Sequence, residues 1–450
     1  MKLFRVLSVV LLGTMVAWSS SADAQPLPAS FVGFSDFVAT VASASSRGFL
    51  GRPGMAVVSE AAFQEMRSHV LKLYDGVLVD HSFLLDAQYF DCIPIEQQPS
   101  VRLSGLQSIA TPPPSLPRAS AGHANPPSPL ELGLSDPFGN QIECPVGTIP
   151  MRRITLEEVA HSKTLSEFFK KSPGEPPPFA GPPPGGSSLH EYSIMIFGSP
   201  NPPVIFAATN LNVWNPSVTG SGPYAFSLSQ LWMINSQGEQ TAEAGWQVSP
   251  DHYHTSNSVL FIYWTADGYM STGCYNLECP AFVQTNNQVA LGASNWTGSS
   301  VAGGQQVWYD VEWINYNGNW WLAHGCDSIV DRQVTCFIGY YPAAVYSSAR
   351  GVSPTLPTYA NLVEFGGEVY SGDLGSFYPQ MGSGAYVSAG PSYAAEQDGI
   401  CFQDNKLNLF CGSNTWGTQV NLPCYSIQCA GYPHCTGSSF YFGGPGGNGC

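Results

Sequence analysis

Seven short runs in the middle of the chain alternate apolar with polar residues: Val204 to Ala208, Phe226 to Ile234, Ala242 to Val248, Val259 to Thr265, Val307 to Ile314, Trp320 to Ala323 and Leu362 to Val369. Gly, Pro, Asn or Ser separates most of them. This pattern predicts strands, and strands in sequence without intervening helices predict an all-β domain, an antiparallel double-sheet sandwich. The same stretch is almost free of basic groups. No lysine falls between Lys171 and Lys406, and the only arginines there are Arg332 and Arg350. Charged residues are 11% of the chain, against roughly 25% in an average soluble protein. In acid, where carboxylates lose their charge, such a domain carries little positive self-repulsion. Compositional drift in an exported protein explains the feature equally well.

The rest of the chain divides around this domain. Residues 1–24 have Lys2 and Arg5, an apolar stretch from Val6 to Ala17 and a small-x-small end at Ala22-Asp23-Ala24, the pattern of a secretory signal peptide. That stretch is too short to span a bilayer, and no later run compares with it. Residues 25–172 hold most of the lysine and arginine and the helical periodicity. Phe63, Met66, Val70 and Leu73 mark one helix, and Thr155 with Glu158 forms a capping-box start for a helix from Leu156 to Phe169. Cys92 and Cys144 are the only thiols in this module and are expected to pair. Residues 173–187 form a Pro/Gly linker, 188–400 the sandwich, and 401–450 a Cys/Gly-rich extension. Twelve cysteines suit an oxidising compartment. A net charge of −16 argues against a nucleic-acid partner.

Familiar nucleophile, phosphate-loop, zinc and dinucleotide motifs are missing. His252 and His254 lie in a polar turn beside Asp251, where a surface role is expected in place of metal ligation; no metal or cofactor is expected. The glutamates of the β region are then the candidates. Glu239, Glu278 and Glu396 sit in polar surroundings and are expected in solvent, while Glu191 and Glu312 read as strand-face charges. Glu243 and Glu368 differ because small or apolar residues enclose them, in Ala242-Glu243-Ala244-Gly245-Trp246 and Phe365-Gly366-Gly367-Glu368-Val369. Two desolvated carboxyls facing each other divide into a proton holder and a carboxylate, a pair suited to acid–base hydrolysis. Strand alternation puts Glu243, Gly245 and Gln247 on one face and Trp246 on the other, with Gly245 leaving room for a substrate backbone. Each glutamate taken singly also fits a structural carboxylate.

The blocks Val213-Trp214-Asn215-Pro216, Ser227 to Trp232, Glu243 to Val248, Tyr263 to Tyr269, Thr272 to Leu277 with Cys279, Gly318 to Leu322, Ile338 to Pro342, Phe365 to Val369 and Gln380 to Gly384 together resemble the neprosin family of secreted glutamic peptidases. Asp91-Cys92-Ile93, Gln97-Gln98-Pro99 and Gly147 to Arg153 are similar to that family's activation peptide. The resemblance covers about residues 60 to 400 and implies a smaller mixed α/β pro-domain that inhibits its own sandwich. It also implies an acid-acting peptidase that cuts after proline in protein or peptide substrates, without metal or cofactor, and with Glu243 and Glu368 as its catalytic pair. In that frame Trp246, Trp264, Tyr269 and Tyr341 are candidates for the wall of a proline pocket, with core packing as the alternative for each. Gln230 and Gln380 are candidates for orienting water or peptide. Cys274 with Cys279, and Cys326 with Cys336 in an added-looking segment, are further disulfide candidates. Phe365 and Tyr341 stand where the family often has tryptophan, and the tail after Cys401 has no evident counterpart.

Two other readings fit the same residues. Secreted aromatic-rich sandwiches also bind sugars, and paired carboxylates also hydrolyse glycosides. A non-catalytic structural protein with inert, packed glutamates is the other. If the enzyme cuts after proline, the linker at Pro173 to Pro184 is itself substrate-like and acid self-cleavage there would release the mature domain; a simple spacer is the alternative.

Overall fold

The computed structural model describes residues 28, 30–115, 117, 129–171, 189–198, 203–235, 239–293, 298–324, 337–346, 355–373, 375–412, 417–420, 423–429, 438–448 and 450. The expected signal peptide and linker, and Cys326 and Cys336, lie outside these residues.

The N-terminal region builds its core on helix α2 (Glu60–Tyr74), capped where Ser59 Oγ accepts from the Ala62 amide. The periodic residues Phe63, Met66, Val70 and Leu73 are all fully buried, as their spacing predicts. Helix α1 (Phe34–Ser43) packs beside it, and β1 (Ser82–Leu85), β2 (Gln88–Pro94) and β3 (Thr148–Arg152) form a small antiparallel sheet. Cys92 and Cys144 are bonded, holding a 52-residue excursion that includes the short α3 (Pro99–Arg102). The capping box at Thr155 and Glu158 forms as expected, but one helix does not run on to Phe169. Instead α4 (Leu156–Ala160) ends, and Thr164 caps a second short helix, α5 (Leu165–Phe168), by accepting from the Glu167 amide. A β-hydroxyl that satisfies a helix-start amide competes with continuing the first helix.

The rest is an all-β sandwich. Its front sheet has seven antiparallel strands in the order β18-β4-β14-β6-β7-β8-β9: β18 (Gly417–Val420), β4 (His190–Gly198), β14 (Leu362–Tyr370), β6 (Phe226–Asn235), β7 (Gln240–Val248), β8 (Val259–Thr265) and β9 (Cys274–Tyr275). The back sheet runs β10-β13-β12-β11-β5-β16-β20-β19: β10 (Val283–Gln284), β13 (Phe337–Tyr341), β12 (Asn319–Ala323), β11 (Trp308–Tyr316), β5 (Val204–Asn212), β16 (Ala395–Asp404), β20 (Phe440–Gly443) and β19 (Ser426–Cys429). Strand β17 (Leu409–Cys411) pairs with β16, and β15 (Phe377–Tyr378) pairs with β21 (Gly447–Asn448). Every run expected to be a strand is one. The extension beyond residue 400 is no appendage: β16 crosses that point and β17 to β21 add to the sheets, with Cys401–Cys411 and Cys424–Cys450 bonded.

Alternation decides what each face does. Inward residues of the front sheet, among them Leu231, Ala244, Trp246 and Phe365, meet Leu211, Val311, Trp313 and Leu322 of the back sheet in one core. Burying a large apolar side chain contributes roughly 1.5–3 kcal/mol, so this layer fixes the outer faces rigidly. The outer face of the front sheet carries its own apolar cluster, with Phe226, Leu228, Trp232, Tyr263 and Tyr275. The N-terminal region also reaches the back sheet, where Val101, Leu106 and Ile109 pack near Phe206 and Tyr340. Gln98 there pairs its side-chain amide with the backbone of Gln284 in both directions, at 2.8 and 2.9 Å.

Candidate active site

The middle of the front sheet's outer face brings the two enclosed glutamates together. Glu243 lies on β7 and Glu368 on β14, with β6 between them; Trp232 stands opposite Glu243 and Leu228 opposite Glu368. Both carboxyls are buried, at 0% and 2% exposure. Between them sits the ammonium of Lys171, at the end of the N-terminal region. Its Nζ donates to Glu243 Oε2 and to Glu368 Oε2, each at 2.7 Å, so the two oxygens are at most twice that distance apart. The ammonium also lies 5.5 Å from the centroid of the Trp232 ring.

The remaining oxygens are held by the sandwich itself. Glu243 Oε1 accepts from Thr241 Oγ1 at 2.8 Å and from Tyr269 Oη at 2.5 Å. Glu368 Oε1 meets His190 Nδ1 at 2.6 Å, and Gln230 Nε2 approaches Glu368 Oε2 at 3.4 Å. Burial would raise the Glu368 carboxyl, but Lys171 and His190 together hold it down at about 2. Lys171 is pushed the other way: burial disfavours its charge, yet the two glutamates raise its pKa above the ordinary lysine value. Glu364, two residues before Gly366 on the same face of β14, is driven up to about 7 by burial and by the two glutamate charges, with Lys171 opposing.

Around this centre the N-terminal region presses on the sheet. Tyr263 Oη donates to the Phe169 carbonyl at 3.0 Å, and Phe168 stacks on His252. Further along the boundary Arg152 joins Glu158 of its own region to Glu278 of the sandwich, at 3.1 Å from the latter. His252 Nε2 meets Glu278 Oε1 at 2.7 Å, His254 lies 3.6 Å from Glu158, and His69 Nε2 meets the Glu278 carbonyl at 3.0 Å. Burial pushes His69 down to about 4 and lowers His254 as well. A cavity of about 500 Å³ opens on this boundary, lined by His161, Lys163, Glu167, Tyr224 and Asp251 among others.

Several expectations need correction. Glu278 is buried and ion-paired, because Arg152 and His252 supply the charge that the local sequence lacks. His252 and His254 are accordingly interface groups, covered by the N-terminal region. Trp246, Trp264 and Tyr341 are inter-sheet core residues; Trp246 donates its indole N–H to the Asn212 carbonyl of the opposite sheet at 3.1 Å. Their positions on the strands point them inward, away from any substrate. Gln380 lies apart from the glutamates, accepting from the Ser217 amide at 2.9 Å to hold a loop. Gly245 makes room for the neighbouring strand: a Cβ there would stand 2.0 Å from the Ser229 carbonyl oxygen. Cys274 and Cys279 are bonded, fixing the loop after β9. Of the candidate pocket residues, Tyr269 and Gln230 do reach the glutamates.

Sequence reasoning missed Lys171, His190, Thr241 and Tyr263. Lys171 had a signal, as the last lysine before the long lysine-free stretch. His190 had none, since its strand was not recognised. No group of three or more His, Cys, Asp or Glu side chains among the described residues is placed to hold a metal ion. No described helix is long and apolar enough to cross a membrane.

A solved structure described as Scytalido-glutamic peptidase with a peptide based transition state analog is similar to this chain at 8% identity and a TM-score of 0.29, covering 56% of this chain and 97% of that one. So remote a likeness carries no argument about the site. Residues 223–445, which span Glu243, Tyr269 and Glu368, match the Neprosin family model. Through that segment the chain belongs to the neprosin family.

Proposed function

We propose that the sandwich is an acid-acting glutamic endopeptidase, with Glu243 and Glu368 as its catalytic pair, and that the N-terminal region keeps it latent. The observation that carries this reading is the single Lys171 ammonium shared at 2.7 Å by both Oε2 atoms. When Lys171 leaves, a water at that point hydrogen-bonds to both carboxyls. One glutamate, ionised, takes a proton from this water as its oxygen bonds to the scissile carbonyl carbon. The other, protonated, donates to the carbonyl oxygen as negative charge develops there. The C–N bond then breaks as the proton taken from water passes to the leaving nitrogen, and the proton lent to the carbonyl oxygen returns to the second glutamate, which restores the pair. Membership of the neprosin family supports peptide bonds as the target.

Two contacts fit a peptide lying across this face. Tyr263 already holds a backbone carbonyl, that of Phe169, as it would hold a substrate's. The rings of Trp232, Tyr263 and Tyr275 beside the pair offer flat apolar surface to a pyrrolidine ring, in keeping with cleavage after proline. Disulfides throughout the fold and the signal-like N-terminus fit an exported zymogen.

The test is peptide cleavage by acid-treated protein, from about pH 2 to 8, on proline-containing and proline-free substrates, with Glu243→Gln and Glu368→Gln alongside. Each variant is expected to fold and to lose activity by about 10²-fold to 10⁴-fold. Full activity in either variant rejects the pair. Glycosidases place their carboxyls as little as about 5 Å apart, so polysaccharides belong in the same assay; their hydrolysis without peptide cleavage moves the assignment to sugar chemistry.

A further inference from the structure

Each glutamate of the pair turns one oxygen to Lys171 and one to the sandwich, and the two sandwich-side partners differ in kind. Glu243 Oε1 is held by two neutral hydroxyls, those of Thr241 and Tyr269. Glu368 Oε1 is held by an imidazole, His190 Nδ1, at 2.6 Å. Departure of Lys171 takes a positive charge from both carboxyls at once. Glu368 alone retains a partner that can carry one.

His190 is built into place. It is 3% exposed on β4, where it stands opposite Tyr370 of β14, two residues along the same face from Tyr192, which stands opposite Glu368. The ring lies among Tyr192, Phe226 and Tyr370, with centroids at 6.2, 5.7 and 4.9 Å. The charged and titratable groups facing Glu368 are His190 from β4, Glu243 from β7, Glu364 from its own strand, Lys171 from the N-terminal region, and the phenols of Tyr269 and Tyr275. Among these described groups, only His190 is both cationic when protonated and part of the sandwich. When protonated the imidazole is a cation, and a charged donor this close favours the ionised carboxyl.

We propose that His190 is a positioning residue that keeps Glu368 ionised in the activated enzyme, making Glu368 the group that takes the proton from water and Glu243 the group that donates to the carbonyl oxygen. This rests on the peptidase reading above. In the step, the water O–H bond breaks toward Glu368 Oε2, the oxygen left by Lys171, while His190 remains on Oε1 and keeps its own proton throughout. The histidine therefore tunes the base without entering the bond changes.

The sign of the effect follows. A base must be ionised, so activity falls as acid protonates Glu368. Removing the cation that favours its ionised form moves that fall to higher pH. The experiment measures kcat and KM across pH for acid-processed wild type, His190→Asn and His190→Phe, with circular dichroism to verify folding. Asparagine can place a neutral N–H near the position of Nδ1; phenylalanine keeps the ring packing and removes the donor. In His190→Asn the acidic limb of kcat is expected to move up by about one pH unit or more, with KM nearly unchanged and most activity recovered at higher pH. His190→Phe is expected to show the same displacement and a further loss of kcat at every pH. A folded variant of either kind whose acidic limb coincides with the wild type overturns the proposal, even if its activity is uniformly lower. A processed wild type that cuts no peptide overturns the peptidase reading itself and the assigned role together, whereas cleavage with an unmoved limb removes only His190.

Discussion

Lys171 and Glu368 are 197 residues apart in the chain and 2.7 Å apart in the fold. The contact ties the last described residue of the N-terminal region to the centre of the front sheet. It also places one positive charge between two adjacent buried carboxyls that would otherwise repel each other. Docking of the N-terminal region and charge balance in the site are thus one equilibrium.

Replacing Lys171 by Ala is expected to destabilise the full chain by about 3–5 kcal/mol near neutral pH, the usual cost of removing one member of a buried ion pair. In the wild type the depressed Glu368 value means that its stabilisation is present above the ordinary carboxyl range and is lost as pH falls toward about 2. The penalty in Lys171→Ala should therefore shrink in acid, where one carboxyl can take a proton. Urea melts at pH 4 and pH 7 would read the difference; an equal deficit at both rejects the account.

Release of the N-terminal region in mild acid should depend on histidines before it depends on the glutamates. His69, facing Glu278, Lys72 and the Phe169 ring, is held down at about 4. Its contribution to docking is complete above its ordinary value of 6.5 and is lost as pH falls toward 4, since the freed state binds the proton more readily. The low value at Glu368 keeps the lysine lock ionised to far lower pH. His69→Phe should consequently shift the midpoint of acid processing downward by about half a pH unit or more. Gel analysis of cleavage against pH checks this, and an unmoved midpoint excludes His69 as a trigger.

Two aromatic substitutions separate packing from chemistry. Trp246→Phe, inside the sandwich, should cost about 1–3 kcal/mol of stability and leave KM for peptides unchanged. Tyr269→Phe removes the hydroxyl on Glu243 and should lower kcat about tenfold or more with a smaller change in stability. Steady-state kinetics paired with thermal melts distinguish them, and a raised KM in Trp246→Phe would contradict its assignment to the core.

The Cys424–Cys450 bond closes a separation of 26 residues. Chain-entropy reasoning gives such a loop roughly 3 kcal/mol, so Cys450→Ser should lower stability by about that amount. Amide exchange should quicken in β19 and β20 before it does in β6 and β7. Uniform exchange across both groups would mean that the bond does not act locally.

The period-two pattern made the strands legible, because a half-buried strand must alternate. It also made Glu243 and Glu368 conspicuous, as carboxyls among glycines and apolar residues. The same pattern should have excluded Trp246, whose neighbours placed it on the inner face. Glu278 was misread since the charge that buries it, Arg152, arrives from 126 residues away. Lys171 was marked only as the last lysine before the lysine-free stretch and His190 not at all, for the same reason: each acquires its role from a partner on another strand or in another region.

Strand β18 pairs with β4 through Gly417 to Val420 against Ser193 to Ile196, beside the strand that carries His190. Without it, β4 would be the rim of the front sheet, with open amides and carbonyls ready to recruit a strand from another molecule. The C-terminal segment thus acts as a selvedge, finishing the cloth where it would unravel. The rim that remains is a strand only four residues long, which offers another chain little backbone to pair with beside the sheet that holds the two glutamates.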